Sequence, residues 1–299
     1  MAGVTVFGGT GFLGREIVRA VSAGGFDTRI ATRHAPRESR EGANGRVTHV
    51  IADVNDAGSV QRAVEGAFAV VNAVSLYVEK GGVSFEDVHV DGARRIARCA
   101  GEAGAEVLVH VSGVGSELAS PSAFVRARAR GEEAVRAAFG EAVVTRPCVM
   151  FGRHDSFLSA VEMATRLPVV PLFGRGETRL QPAFVKDVAA AVAKVIAEPA
   201  RRARVFELGG AEVLTYREVV EAVMAHLGRR RVLVPVPFAA WKGLAAALER
   251  LPSPPLTRDQ VVLMESDNVV TGRTAAFSGL GIGPAGLSAM LRECLAPRR

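Results

Sequence analysis

Residues 4–15 read VTVFGGTGFLGR, in which an apolar strand pattern runs directly into a glycine-rich loop and the start of a helix. Gly8, Gly11 and Gly14 stand three residues apart. Glycine in these places permits a tight turn, close approach of a pyrophosphate, and tight packing of helix on strand. The helix N-terminus adds N–H donors and the positive end of its dipole. The stretch predicts a dinucleotide-binding βα unit whose expected contacts also include Thr10, Phe12 and Leu13.

The alternation begun by this unit continues through the first half of the chain. Short apolar segments alternate with longer helical patterns, and the strand candidates are VTVFG, TRIATR, RVTHVIADV, FAVVNAV, EVLVHVSG and EAVVTRP. Such alternation predicts a parallel sheet that is covered by helices on both faces. The expected fold class is α/β: a doubly wound, parallel-sheet Rossmann domain with a smaller, mainly helical C-terminal cap.

The pattern becomes irregular after Pro147. Residues 177–210 contain the helix VKDVAAAVAKVIAEP and the strand RVFELGG, whereas the last seventy residues show no clear strand. We therefore expect the Rossmann domain to span 1–150, with 177–210 returning to it. The cap is expected to comprise 151–176 and 211–299.

Composition narrows the classes of function. Apolar residues make up 48% of the 299 residues, but charges, Gly or Pro interrupt every apolar run before the roughly 18 residues that a membrane span needs. The N-terminus lacks the features of a secretory signal, so a cytoplasmic location is expected. The net charge of +6 is scattered among acids, which argues against nucleic-acid binding. A weak attraction to anionic membrane surfaces remains open.

The three cysteines do not indicate a metal site. Cys99, Cys148 and Cys294 are far apart and have neither metal-ligand nor Cys-x-x-Cys spacing. We interpret them as small core residues and expect no metal.

The end of the second predicted strand, ATRHAPR, indicates which dinucleotide binds. Arg33 lies nineteen residues after Gly14, His34 and Arg37 follow, and no carboxylate occurs until Glu38. An acid here would bind the ribose 2′-hydroxyl of NAD, whereas arginine accommodates a 2′-phosphate. NADP(H) is therefore favoured over NAD(H). The alternative is that Arg33 is a solvated loop charge.

Further cofactor contacts are expected where later strands end. Asp53, after the third strand, stands where a carboxylate can accept a hydrogen bond from the adenine amino group; alternatively, it caps the next helix. The remaining expected contacts are Val54, Ala73, Val74, Pro147 and Val149.

Several motifs together resemble a known superfamily. GGTGFLGR, ADV, VNAV, HVSG and TRPCVMFGRHDSF occur in this order, as in the extended or atypical short-chain dehydrogenase/reductases. RPCVMFGRHDSFL, LQPAFVKDVAAAV and LTRDQVVLMESDNVV are similar to the branch that contains the NADPH-binding accessory subunit of respiratory complex I and its bacterial relatives. The resemblance covers nearly the whole chain. It implies a nicotinamide dinucleotide, a quinone-like or lipid ligand, and association with a respiratory complex or the inner face of a membrane.

The resemblance also identifies a missing catalytic pair. Active superfamily members use Ser, Tyr and Lys, with Tyr and Lys four residues apart on one helix. Ser112 matches the serine, but Phe124 stands at the tyrosine position and Arg128 at the lysine position. Phenylalanine has no proton to donate, and arginine does not release its proton at neutral pH. No catalytic residue is therefore expected, while Ser112 and Arg128 remain expected cofactor contacts.

These sequence features leave three hypotheses about function. The first is an NADP(H)-binding protein with little turnover, near complex I or ubiquinone metabolism. The second is an active oxidoreductase or epimerase on a small or isoprenoid substrate, with Tyr77, His89 or His154 as unconventional catalytic groups. His110 fits a core role better. Arg153 and Asp155 fit a role in ordering their loop. The third, a structural module without nucleotide, conflicts with the complete glycine loop.

The segment PFAAWKGLAAALERL carries an apolar stripe at helical spacing: Phe238, Trp241, Leu244, Leu248 and Leu251. Such a stripe is usually core. It also suits an interfacial helix or the entrance for a quinone-like or lipid molecule.

Overall fold

The computed structural model describes residues 2–34, 46–198, 204–252 and 254–295. Its strands are β1 (Gly3–Phe7), β2 (Asp27–Thr32), β3 (Val47–Ile51), β4 (Ala69–Asn72), β5 (Val107–Val111), β6 (Val143–Pro147), β7 (Met150–Phe151), β8 (Val169–Phe173), β9 (Arg179–Leu180), β10 (Ala183–Phe184), β11 (Val205–Leu208), β12 (Leu214–Thr215) and β13 (Val232–Val236).

The helices are α1 (Phe12–Ala23), α2 (Ala57–Val64), α3 (Ala93–Glu102), α4 (Ala123–Ala138), α5 (Ser156–Ala164), α6 (Val185–Ala197), α7 (Tyr216–His226), α8 (Phe238–Leu248), α9 (Arg258–Leu263) and α10 (Leu287–Cys294). A π-helical segment, Glu86–Gly92, leads into α3, and a short 3₁₀ turn spans Phe277–Leu280.

Seven strands of the described chain form one parallel sheet in the order β11-β6-β5-β4-β1-β2-β3. The winding reverses between β1 and β4, and ligands of open α/β sheets bind in the crevice at such a point, outside the carboxyl ends of the strands. The predicted doubly wound α/β fold is confirmed.

The two faces of this sheet have separate apolar cores. On one face, α1 and α6 pack Ile17, Val192 and their neighbours against Val4 and Val6 of β1. On the other face, α2, α3 and α4 enclose a second core that includes Phe7. Because both faces are covered, the strands carry almost continuous apolar runs. The three cysteines are buried and unpaired, as predicted.

The C-terminal part has its own core, in which α5, α7 and α10 surround the inner side of β8. It contains more strand than the sequence predicts. The last seventy residues include β13, which pairs in parallel with β8 in a two-stranded sheet. The expectation of no strand there was wrong. Proline in VLVPV resembles a loop signal, but a two-stranded sheet has only edge strands, on which proline is tolerated.

A C-terminal segment reaches back to the large sheet and fixes α4. The Asp259 carboxylate accepts hydrogen bonds from the Ser122 hydroxyl at 2.7 Å and from the Ala123 amide at 2.8 Å. Ser122 is itself the N-cap of α4. Nine residues later, Asn268 Oδ1 accepts a hydrogen bond from the Val149 amide at 2.6 Å. The start of α4 is therefore held by residues far away in sequence.

A buried ion pair fixes the body of the same helix. Glu132 of α4 is 1% exposed and accepts two hydrogen bonds from Arg146 of β6, at 2.9 and 2.7 Å. This bidentate bond raises the pKa of Arg146 above its ordinary value. Glu207 of β11 lies 3.8 Å from the same guanidinium. A charge so deeply buried is tolerated only when it is paired.

We predict that Arg146→Met lowers the free energy of unfolding by ~3–5 kcal/mol, because the buried Glu132 loses its bidentate partner and keeps only the longer 3.4 Å contact with Arg136. Chemical denaturation measures the loss. Arg204→Met is the matched control: it removes a 2.9 Å ion pair to Glu141 in which both side chains are largely exposed. That change is expected to cost at most about 1 kcal/mol. Equal losses for the two variants would contradict the prediction.

Candidate functional site

The glycine loop lies between β1 and α1 at the reversal point of the sheet. Gly8 has a φ of 76°, and a side chain there would come within 2.7 Å of the Ala73 carbonyl oxygen. A methyl group at Gly14 would lie 2.0 Å from the Gly8 carbonyl oxygen. Both glycines are therefore required by the close packing of the loop against its own backbone and against β4.

Gly11 differs from the other two glycines. It is exposed, and the nearest atom to a methyl group there would be the Gly8 carbonyl oxygen at 3.2 Å. Gly11 is also the N-cap of α1, has no capping side chain, and is followed by no acid in the first turn. A helix N-terminus without an acid or a capping side chain has amide donors of the kind that bind a pyrophosphate.

The neighbouring loop residues have distinct surroundings. Thr10 is exposed, whereas the Leu13 side chain is buried in the core between α1 and the sheet, which leaves only its backbone for a ligand. The Phe12 ring packs beside Gly152, in the loop after β7. Phe12 thus joins the glycine loop to the segment GRHD.

At the carboxyl end of β2, Arg33 and His34 are both exposed. Arg37 lies outside the described residues. Asp53 follows β3 and is half-buried; its Oδ1 accepts a hydrogen bond from the Asn55 amide at 2.9 Å. Asp53 does not cap the next helix, because Asp56 does so by accepting from Gly58 and Ser59. The helix-cap alternative for Asp53 was therefore wrong. Val54 beside it is buried.

The expected contacts after β4, β5 and β6 lie along the same edge of the sheet. Ala73 donates its amide to Phe7 at 3.0 Å, which holds the β4 end beside Gly8, and Val74 follows it. Ser112 is buried, and its hydroxyl lies 3.0 Å from that of Ser116. Pro147 accepts from the Val114 amide at 3.1 Å. The Val149 amide already donates to Asn268. The structure thus groups these residues, and their contact with cofactor remains a prediction.

Phe124 lies within a cluster of aromatic rings. Its side chain is 4% exposed, and its ring centroid lies 5.3 Å from Tyr77, 5.7 Å from Phe85 and 5.3 Å from His89. Phe124 therefore stands in a packed wall of aromatic rings; that it replaces a catalytic tyrosine remains a prediction. Phe85 and His89 are part of this wall, and sequence spacing gave no sign of their proximity.

Arg128 lies one turn further along α4. Its guanidinium carbon is 5.0 Å from the centroid of the Phe124 ring, and its nitrogens lie against Gly113, where a methyl group would come within 2.5 Å. Burial lowers the pKa of Arg128, while the Tyr77 phenol and Glu132 act in the opposite direction; arginine stays charged nonetheless. Among the residues that the structure describes, no hydrogen bond or ion pair satisfies this guanidinium.

The histidines are poorly placed as proton donors. Burial lowers the pKa of both His89 and His110 to about 4, so both are neutral at pH 7. His89 bonds the backbone of Leu76 at 2.9 Å, and His110 bonds the Asn72 amide at 3.2 Å. His110 is a satisfied core residue, as predicted. His154 is exposed in the loop before α5.

Other polar residues of the site have structural partners. Asp155 caps α5 by accepting from the Leu158 amide at 2.6 Å, which agrees with its predicted role in ordering the loop. Asp259 and Asn268 stand in LTRDQVVLMESDNVV, which the family resemblance singled out without a role for either residue. Their contacts identify that motif as the segment that fixes α4 and the β6 end. The Tyr77 side chain, in contrast, is 58% exposed to solvent.

The fold matches solved structures of nucleotide-dependent enzymes. The NADPH-dependent quinone oxidoreductase of Escherichia coli, complexed with NADPH, superposes with a TM-score of 0.76 at 19% identity and covers 96% of this chain and 98% of its own. Identity at this level shows a shared fold alone.

Closer relatives are found in sequence. The chain is 32% identical over 296 residues to mitochondrial NADH dehydrogenase (ubiquinone) 1 alpha subcomplex subunit 9 of Arabidopsis thaliana, with 94% of this chain and 74% of the relative covered. It is 31% identical over 288 residues to the mitochondrial NADH-ubiquinone oxidoreductase 40 kDa subunit of Neurospora crassa, covering 95% and 76%. The resemblance inferred from the motifs is confirmed. Because a profile of the NmrA-like family also matches residues 2–264, the chain belongs to the NmrA-like family.

Proposed function

We propose that this protein binds a nicotinamide dinucleotide, NADP(H) in preference to NAD(H), with little or no turnover. The proposal rests on the surroundings of the Arg128 guanidinium. A charged group with five donors stands at the carboxyl edge of the sheet without a hydrogen-bonding partner among the described residues. Arg128 is only partly buried, so its donors remain accessible, and ribose hydroxyls or phosphate oxygens of a bound nucleotide would accept hydrogen bonds from them.

The remaining expected contacts support the same ligand. The uncapped N-terminus of α1 suits the pyrophosphate, and the exposed Arg33 at the end of β2 suits a 2′-phosphate. When it is bound, the dinucleotide would supply a hydride donor or acceptor. The chain's own residues bind and orient it. The proposed contacts comprise Gly8, Thr10, Gly11, Phe12, Leu13, Gly14, Arg33, Asp53, Val54, Ala73, Val74, Ser112, Arg128, Pro147 and Val149.

The expectation of little turnover rests on proton transfer. A carbonyl reduction needs a proton donor beside the hydride, and Phe124 has none. The neighbouring imidazoles are neutral and bonded to backbone or amide groups. The Ser112 hydroxyl is buried and paired with Ser116. The site therefore suits retention of a nucleotide better than chemistry on a second substrate.

The names of the relatives support the proposed cellular role. Two of them are named as subunits of the mitochondrial NADH–ubiquinone oxidoreductase. We infer a role in the cytoplasm beside a respiratory complex or in ubiquinone metabolism, peripheral to the inner face of the membrane, with a quinone-like or lipid molecule as a second ligand. No helix in the described ranges is both long and apolar enough to cross a membrane.

The alternative function is an active NADP-dependent oxidoreductase or epimerase on a small or isoprenoid substrate. One observation favours it: the exposed Tyr77 ring packs on Phe124, and the Arg128 guanidinium lies over the same Phe124 ring. A phenol near a cation is the chemistry that the missing Tyr and Lys pair would supply.

The experiment that tests the proposed function is native mass spectrometry of gently purified protein. We expect NADP(H) to copurify. Protein that carries no nucleotide, and that binds neither NADPH nor NADH in calorimetric titration, would disprove the proposal.

Cofactor choice depends on Arg33. Arg33→Asp is expected to weaken NADPH binding by ~1.5–3 kcal/mol, the range for hydrogen bonds to charged groups, and to leave NADH almost unaffected. Titration calorimetry with both nucleotides measures this difference. Equal affinity of the unmutated protein for NADH and NADPH would contradict the assignment.

The glycine loop offers a matched pair of variants. Gly11→Val should abolish nucleotide binding with little change in the thermal midpoint of the nucleotide-free protein, because the added side chain enters the ligand space. Gly14→Ala should lower the thermal midpoint itself, because its methyl group meets the Gly8 carbonyl oxygen at 2.0 Å. Undiminished binding by Gly11→Val would show that the nucleotide binds elsewhere.

Turnover separates the two functions. With NADPH and common ketone, aldehyde or quinone substrates, we expect no measurable oxidation of NADPH, and no change with Ser112→Ala. Robust activity that disappears in Tyr77→Phe, whose ring still packs on Phe124, would establish the alternative.

A further inference from the structure

Exposed apolar side chains are concentrated in one part of the molecule. Of the eleven large apolar residues that are strongly exposed in the described chain, seven belong to segments 157–176 and 228–252: Met163, Leu167, Val169, Val232, Val234, Leu244 and Leu251. Isolated exposed apolar residues are ordinary, but a large contiguous group marks an interaction surface.

The outer side of the two-stranded sheet forms the centre of this group. Val232 is the register partner of Val169, and Val234 that of Pro171, so these side chains stand side by side on one face. Val169 is 44% exposed and Val232 is 64% exposed, whereas Val170 and Leu172, on the opposite face, are completely buried. The strands thus use one face for the core and leave the other to solvent.

The apolar face continues onto the end of α5. Arg229 donates to the Glu162 carbonyl at 3.1 Å and to the Thr165 hydroxyl at 2.7 Å, and Arg231 donates to the Thr165 carbonyl at 3.2 Å. These bonds hold the start of β13 against the end of α5. Met163, 66% exposed, and Leu167, 51% exposed, lie two residues on either side of Thr165, which accepts two of these bonds. We name Met163, Leu167, Val169, Val232 and Val234 the apolar sheet patch.

The surroundings of the patch are strongly basic. Segments 157–176 and 228–252 contain seven Arg or Lys residues and two Glu residues, which accounts for a net +5 of the chain's +6. Four of these basic residues pair with acids: Arg166, Arg175, Arg229 and Lys242. No carboxylate in the described part of the chain pairs with Arg230, Arg231 or Arg250. A second copy of the chain would bring the same positive charge to the contact, so charge disfavours self-association here.

We propose that the apolar sheet patch and its arginines dock on an anionic lipid bilayer, with the valines and Met163 entering the headgroup region and the arginines contacting lipid phosphates. Apolar insertion combined with basic attraction is how proteins bind an anionic membrane surface without crossing it. The patch would be the contact surface for the peripheral membrane location proposed above. Its docking does not depend on the nucleotide site.

Helix α8 supports the patch instead of forming it. Trp241 donates Nε1–H to the Leu172 carbonyl at 3.0 Å, and its ring lies 4.5 Å from that of Phe173. The only completely buried side chain of α8 is Ala245, while Leu244 and Leu251 are exposed. The stripe is therefore not simply core. Replacing Trp241 would disturb the packing of β8, so the exposed positions of the strands are the better targets.

The experiment is cosedimentation of the full chain with vesicles of phosphatidylcholine alone or mixed with phosphatidylglycerol. We expect binding to the mixed vesicles, weakening as salt is raised, and little binding to phosphatidylcholine alone. Val169→Thr with Val232→Thr keeps the β-branched shape and should weaken binding at least threefold. Arg230→Gln should weaken it about fivefold, as expected for one basic residue near an anionic surface.

Matched controls test whether the effect is local. Ile51→Thr alters an equally exposed strand residue on β3, and Arg62→Gln removes an exposed charge from α2; both should bind as the unmutated protein does. Gly11→Val should also retain vesicle binding, which separates this proposal from nucleotide binding. The proposal is overturned if the control and patch variants lose binding equally, if no vesicles bind, or if the patch variants instead dissociate a dimer seen by light scattering.

Discussion

The contact between the Gly14 position and the Gly8 carbonyl oxygen is the constraint on which the nucleotide half depends. With 2.0 Å between that oxygen and the nearest possible side-chain carbon, only glycine lets α1 begin directly above the end of β1. This close approach aims the first amides of α1 at the sheet reversal, where β4 is held beside Gly8. The positive end of the α1 dipole and the glycine loop therefore lie together at the carboxyl edge of the sheet. This arrangement suits an anionic dinucleotide.

Helix α4 is fixed by residues from distant parts of the sequence. Its start is held by Asp259, and its body is held by the buried pair of Glu132 and Arg146. Phe124 packs among the rings of Tyr77, Phe85 and His89. Arg128 keeps a cation at the edge of the sheet. This combination suits a protein that holds a nucleotide in a defined geometry without a ready proton for a substrate.

The C-terminal part contains two segments with different surroundings. Its segment from Asp259 to Asn268 turns inward and completes hydrogen bonds of α4 and β6. Its two-stranded sheet turns one face inward to a core around Leu172 and leaves the other face apolar and exposed. Five of the six net positive charges of the chain belong to segments 157–176 and 228–252, which contain the two strands of this sheet.

The sequence by itself determined the doubly wound fold and the glycine loop between β1 and α1. Strand and helix periodicities, tight turns and residue chemistry are local, so they can be read without knowing what packs where. The tertiary structure decided that Asp56 and not Asp53 caps α2, that Tyr77 reaches Phe124, and that VLVPV forms a strand. It also paired Asp259 with Ser122 across 137 residues of sequence. Such contacts depend on which distant segments meet, and only the folded chain, in which buried polar groups must find partners, selects them.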